Sequence, residues 1–264
     1  MLRQPGNDNY LYLGKFYSSK FQSICSVIQN ERTIFLDSTT ILPLDFNLLE
    51  KIYCANTARE LPLGLIKKSL FVVDSMAEIL GNKKTFYISK YGLEDLKNFR
   101  KKFSEKIKYL SANKIGNKDE RLLRLPKKLE QALWEFEKLV KKRIYNMQNK
   151  DLQDLVKEYL QKTGLLSNES QRNTEVVSSL LYRSLFEKSS IALLTKDSRN
   201  YLGARNLCAD LIKYFKEYKE ILYDAPVLGY YFKNDKVYRF NSRFLEPREM
   251  PLPEKELLKW KSLL

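Results

Sequence analysis

Two short apolar runs in this chain each end on a carboxylate. One is Thr33-Ile34-Phe35-Leu36-Asp37-Ser38, and the other is Ser190-Ile191-Ala192-Leu193-Leu194-Thr195-Lys196-Asp197-Ser198-Arg199-Asn200. A short, unbroken apolar run bounded by polar residues reads as a strand buried on both faces, the kind that parallel sheets use. Open α/β sheets bind their ligands at the carboxyl edge, so Asp37, Thr195 and Asp197 become candidate functional residues. A further segment, Leu70-Phe71-Val72-Val73-Asp74-Ser75-Met76-Ala77-Glu78, has the same grammar and predicts another strand over 70–73. Carboxylates gathered at one edge repel each other unless a divalent cation neutralises them, which leads to an expectation of Mg²⁺ or Mn²⁺ on oxygen ligands.

Composition narrows the chemistry. The 264 residues can bury a large core, in one domain or in a domain with an insertion. Lys and Arg number 47 against 32 Asp and Glu, a formal charge of +15. That excess favours a polyanionic partner, nucleic acid before anionic membrane. The chain has no histidine. Ser-His and Cys-His nucleophile pairs are thereby excluded, and so is histidine-ligated zinc. Cys25, Cys54 and Cys208 are odd in number and widely spaced, which argues against a disulfide framework and for a reducing compartment. No apolar run approaches the ~20 residues of a membrane span, and residues 1–9 lack the apolar core of a signal peptide. The expectation is cytoplasmic residence and no membrane partner.

The rest of the chain alternates strand and helix signals. An edge strand is expected over Tyr10–Lys15, a helix around Lys20–Gln29, and another over Asp45–Thr57 that breaks at Leu61-Pro62-Leu63-Gly64. Leu96, Phe99, Phe103, Ile107 and Leu110 recur at steps of three and four, which is a helical stripe. A basic loop is expected over Ser111–Leu125, with Pro126 in the first turn of a helix marked by Leu129, Leu133, Phe136, Val140 and Ile144. A further helix carries Leu152, Leu155, Val156 and Tyr159 and ends at Gly164. Helices over Thr174–Phe186 and Ala204–Tyr218 flank the strand Ile191–Leu194. Val227–Phe232 and Val237–Phe240 form a hairpin, and the tail holds one short helix. The expected fold is α/β, a parallel sheet flanked by helices with a helical insertion and a C-terminal β-hairpin. The expected organisation is an extension over 1–30, a domain over 31–225 with its insertion near 92–165, and a hairpin and tail over 226–264.

The order of these acids resembles the PIN-domain nucleases. The pieces that carry the likeness are Ile34-Phe35-Leu36-Asp37-Ser38, Val72-Val73-Asp74-Ser75-Met76-Ala77-Glu78, Asn173-Thr174-Glu175-Val176-Val177 and Leu193-Leu194-Thr195-Lys196-Asp197-Ser198-Arg199-Asn200. The last run is similar to that of PIN domains in RNA-decay and exosome-associated nucleases. The resemblance covers about residues 31–80 and 170–215. It implies a PIN-like sheet whose acids bind one or two divalent cations and cut a phosphodiester. Carried over, Asp37, Glu78 and Asp197 are the metal candidates. Glu175 joins them as a catalytic candidate, and Thr195, with Ser38 beside it, would hold the geometry. The chain departs from the family pattern in two places: Thr174 stands between Asn173 and Glu175, and Arg199 stands where a further aspartate is common.

Each piece also has a local explanation. Ser75-Met76-Ala77-Glu78 reads as a capping box, Asp37 or Ser38 as a helix cap, Asp197 as an Asx turn, and Asn173 with Glu175 as a helix start. Basic groups for a nucleic acid are Arg100, Lys101, Lys102, Lys141, Lys142, Arg143 and Arg199, with the solvated helix face as the plain alternative. The function expected is metal-dependent endoribonuclease activity on single-stranded RNA. The alternatives are a catalytically weak PIN-like module that binds RNA or a protein through the insertion, and a structure-specific nuclease acting on DNA.

Overall fold

A computed structural model describes residues 19–41, 47–83, 85–113, 117–165, 170–233, 236–246 and 254–263. In chain order the helices are α1 (Ser19–Asn30), α2 (Ser38–Ile41), α3 (Asn47–Cys54), α4 (Leu63–Asn82), α5 (Lys90–Ala112), α6 (Asn117–Lys141), α7 (Lys150–Lys162), α8 (Ser170–Leu185), α9 (Ser198–Tyr214), α10 (Lys216–Asp224) and α11 (Glu254–Lys261). The strands are β1 (Ile34–Leu36), β2 (Phe86–Ile88), β3 (Ile191–Thr195), β4 (Val227–Lys233) and β5 (Lys236–Asn241). They divide between two compact units. A helical unit draws on Met1–Gln29, Leu42–Lys84 and Leu93–Arg143, and a sheet unit on Asn30–Ile41, Thr85–Gly92 and Ile144–Leu264.

The sheet has the order β2-β1-β3-β4-β5. β1 pairs in parallel with both β2 and β3, β3 pairs in parallel with β4, and β5 closes the edge antiparallel to β4. Strand order reverses between β1 and β3, because the chain goes from β1 outward to β2 and returns on the other side. In open α/β sheets this reversal opens a crevice at the carboxyl ends. All residues of β1 and β3 are buried, as parallel strands require. Phe35, Leu193 and Val227 of the strands pack with Val156 of α7, Val177 of α8 and Leu207 of α9. Gly164, at φ 66°, follows the last turn of α7, and Leu165 N–H returns to the Leu160 carbonyl, which stops the helix.

The helical unit is built from faces of period 3.6. In α6 the buried hydrophobic residues include Leu123, Leu129, Leu133, Phe136 and Val140, and this helix packs on α4. Arg100 of α5 pairs with Glu137 of α6 at 2.5 Å, and Ser104 of α5 donates to Glu130 of α6. No helix among the described residues is long and apolar enough to cross a membrane.

The coarse expectation holds: a mostly parallel sheet flanked by helices, ending in the β4–β5 hairpin. Several local readings do not. Leu70–Val73 is no strand but the middle of α4, whose buried Ile66, Ser69, Val72, Val73, Met76 and Leu80 fall on one helical face. Four adjacent apolar residues mimic a strand, yet Phe71 is exposed, and packing along 20 residues outweighs a weak local β preference. Ser75 is therefore mid-helix, and the capping box at Ser75–Glu78 is not formed. β2, at Phe86–Ile88, had no sequence signal of its own. It is only three residues long and is a strand because it pairs with β1.

The basic loop is shorter than expected, because α6 already starts at Asn117 and puts Pro126 in its interior rather than its first turn. The missing N–H and ring clash of an interior proline cost about 3 kcal/mol, which the buried face of α6 offsets. Ile144 lies beyond α6 and instead makes an isolated bridge to Ile88. The helix expected over Ala204–Tyr218 is two helices, broken at Phe215. Tyr10–Lys15 lies outside the described residues.

Candidate functional site at the carboxyl edge of the sheet

Asp37 leaves β1 at the strand-order reversal and is 4% exposed. Its backbone N–H donates to the Leu194 carbonyl at 3.2 Å, which pins it beside β3. Its carboxylate receives four side-chain donors. Thr195 Oγ1 donates to Oδ2 at 2.5 Å, Thr39 Oγ1 at 3.1 Å and Asn200 Nδ2 at 3.1 Å, while Ser38 Oγ donates to Oδ1 at 3.2 Å. Asn200 must present its amide nitrogen, because a carboxylate only accepts. That leaves Asn200 Oδ1 buried without a hydrogen-bond partner among the described residues.

Thr195 links the two strand ends. Its fully buried hydroxyl donates to Asp37 and accepts from Asp197 N–H at 2.8 Å. Asp197 caps α9, its Oδ1 accepting from Arg199 N–H at 2.9 Å, as the Asx-turn reading expects. Its Oδ2 accepts from Asn173 Nδ2 of α8 at 3.3 Å. Thr39 Oγ1 accepts from Lys196 N–H at 2.8 Å, and Thr40 Oγ1 donates to the Leu194 carbonyl at 2.6 Å. The α2 turn is thus stitched to the end of β3 by hydroxyls.

Glu175 occupies neither a helix start nor the Asp37 cluster. α8 begins at Ser170, which puts Glu175 in its second turn, and Oε1 accepts from Lys90 N–H at 2.8 Å. This carboxylate caps the first turn of α5, an acid at the positive end of a helix dipole. Asp74 and Glu78 are exposed residues of α4 in the helical unit, so the strand-end placement that singled them out does not exist. Partial desolvation by its neighbours, aided by the Glu135 charge, raises the Asp74 carboxyl above its ordinary 3.8. Burial pushes the Cys25 and Cys208 thiols up to about 12, so neither is a ready nucleophile near neutral pH.

Of the basic candidates, Lys101, Lys102, Lys141, Lys142 and Arg199 are exposed. Arg143 is half-buried, and Arg100 is committed to Glu137. Sequence reasoning missed Thr39 altogether and gave Asn173 and Asn200 no contact. The hydroxyl-rich run Asp37-Ser38-Thr39-Thr40 after a strand was the available signal.

No group of three or more Asp, Glu, Cys or His side chains among the described residues is arranged to hold a metal ion. A cation at this edge would therefore rest on Asp37 and Asp197 rather than on three acids. Both are carboxylates, oxygen ligands of the kind that Mg²⁺ and Mn²⁺ take. Mg²⁺ commonly binds through one or two carboxylates plus substrate phosphate. The buried, unpartnered Asn200 Oδ1 beside Asp37 fits such a site. Comparison of the chain with family models, with curated proteins and with solved structures yields no match.

Proposed function

We propose that the sheet unit is a PIN-like, divalent-metal-dependent nuclease that hydrolyses phosphodiester bonds, with single-stranded RNA as its first substrate. One observation supports this most. Asp37 and Asp197 follow adjacent parallel strands at the strand-order reversal, and one buried hydroxyl, Thr195, contacts both residues. When bound, the cation supplies Lewis acidity and charge neutralisation at a phosphoryl group. Thr195, Thr39 and Asn200 hold the Asp37 carboxylate in one orientation, so the acid needs no reorganisation to meet a cation. With no histidine in the chain, proton transfer falls to carboxylates, lysines, tyrosines or water. The choice of RNA rests on the likeness of the Thr195–Asn200 run.

A second reading has its own support. Asp37 already accepts four hydrogen bonds and Asp197 already caps a helix, so both acids also work as structural locks. The protein would then bind nucleic acid without cutting it.

The variant that separates the two is Asp197→Asn, because asparagine caps a helix as well as aspartate does. On the first reading, wild type cleaves single-stranded RNA with Mn²⁺ and not with EDTA. Asp197→Asn then keeps its melting temperature and loses at least ~100-fold in rate, and Asp37→Asn loses as much. Cleavage that is equal in wild type and Asp197→Asn, or absent with every divalent cation tried, overturns the nuclease reading.

A further inference from the structure

The charges of α6 are unevenly distributed around the helix. Three of its five acids turn to partners within the helical unit: Asp119 pairs with Arg59, Glu130 takes the Ser104 hydroxyl, and Glu137 pairs with Arg100, while Glu120 and Glu135 are exposed. Its cations point outward. Arg124, Lys127, Lys128, Lys138 and Lys141 are all exposed, and none pairs with a carboxylate among the described residues. At 100° per residue these positions share the side of the helix opposite Leu129, Leu133 and Val140. A surface that serves only solubility mixes both signs. On this face the cations outnumber the two exposed acids, Glu120 and Glu135, along a helix about 37 Å long. Residues 93–143 hold 16 Lys and Arg against 8 Asp and Glu, so the excess is not an accident of one turn.

Trp134 stands in the middle of that face and is 46% exposed. The Lys138 ammonium, one turn on, lies 3.0 Å from its ring centroid. A cation beside an open indole is the pairing that single-stranded nucleic acids use: phosphate to the ammonium, an unstacked base to the ring.

We infer that this face of α6 is a metal-independent binding track for single-stranded nucleic acid, with Trp134 as its base-stacking platform. The inference takes from the hydrolysis reading only the class of polyanion. An anionic membrane fits less well, because the apolar residues that would enter a bilayer, Leu129, Leu133 and Phe136, are already buried within the protein. A duplex fits less well because its bases are already stacked and offer the indole no free face.

Trp134 and Trp260 are the chain's two tryptophans, and Trp260 is 1% exposed, so fluorescence changes report mainly on Trp134. The test uses the full chain in EDTA, where the metal-dependent reaction does not run, and a labelled oligouridylate. The expected result is quenched tryptophan emission on binding. Trp134→Ala should weaken binding roughly tenfold with the salt slope unchanged. The triple charge reversal Lys127→Glu, Lys138→Glu and Lys141→Glu should lower the log–log salt slope by about 2. Circular dichroism should show both variants folded, because all the substituted side chains are solvent-exposed. Binding without quenching, equal affinity of wild type and Trp134→Ala, equal binding of a duplex, or quenching by phosphatidylserine vesicles but not by the oligonucleotide each overturns the proposal. Because the assay excludes the metal, its failure leaves the acid pair untouched, and failure of RNA cleavage leaves this track untouched.

Discussion

At the residue scale, the buried charge of Asp37 is balanced by hydroxyl and amide donors rather than by a cationic side chain, and Thr195 is the donor with most at stake. Its hydroxyl serves Asp37 and Asp197 N–H together while fully buried. Thr195→Val keeps the shape and leaves both groups short of a partner, a loss of about 1–3 kcal/mol. In a protein of this size that lowers the melting temperature by several degrees, and Thr195→Ser should restore most of it. A Val variant as stable as wild type would show that the hydroxyl contributes nothing. Asp37, Thr195 and Asp197 were legible because each follows an apolar strand. Thr39 and Asn200 were not. A hydroxyl or amide in sequence does not reveal its partner, and Asn200 lies 163 residues from Asp37.

At the scale of elements, β4 and β5 show how a hairpin is fastened to a sheet. Gly229 and Phe240 face each other in register, and the Phe240 ring occupies the space a Cβ at Gly229 would need. Gly229→Ala should overpack this contact and destabilise the protein by about 1–3 kcal/mol, read as a lower urea midpoint. An unchanged midpoint would mean that the ring moves aside freely. In the rest of the sheet, the acid that closes an apolar run decided what was read. β3 and the three-residue β1 each lead to an aspartate and were visible, whereas β2, also three residues long, was not. The error at Leu70–Val73 comes from the same cue: four residues are too few to separate a strand from one wall of a helix, and only the spacing of Ile66, Met76 and Leu80 settles it.

At the scale of the whole molecule, the formal charge of +15 repels itself in any compact state. The exposed ion pairs, such as Lys216–Glu220, contribute little against it. Raising the salt from about 0.01 M to 0.5 M shortens the screening length several-fold, so thermal stability should rise across that range. A melting temperature that falls with salt would mean that attractive pairs dominate. By itself the sequence determined the class of fold, the two acid-tipped strands, the amphipathic helices and the sign of the surface. All of these follow from local period and composition. Tertiary structure alone decided that residues 70–73 are helix, that Phe86–Ile88 is a strand and that Glu175 caps α5. It also decided that Asp119, Glu130 and Glu137 of α6 turn to partners while its cations face water. The physical reason is that each of these outcomes depends on a partner distant in the chain, whose contact energy exceeds the weak preferences of the few residues involved.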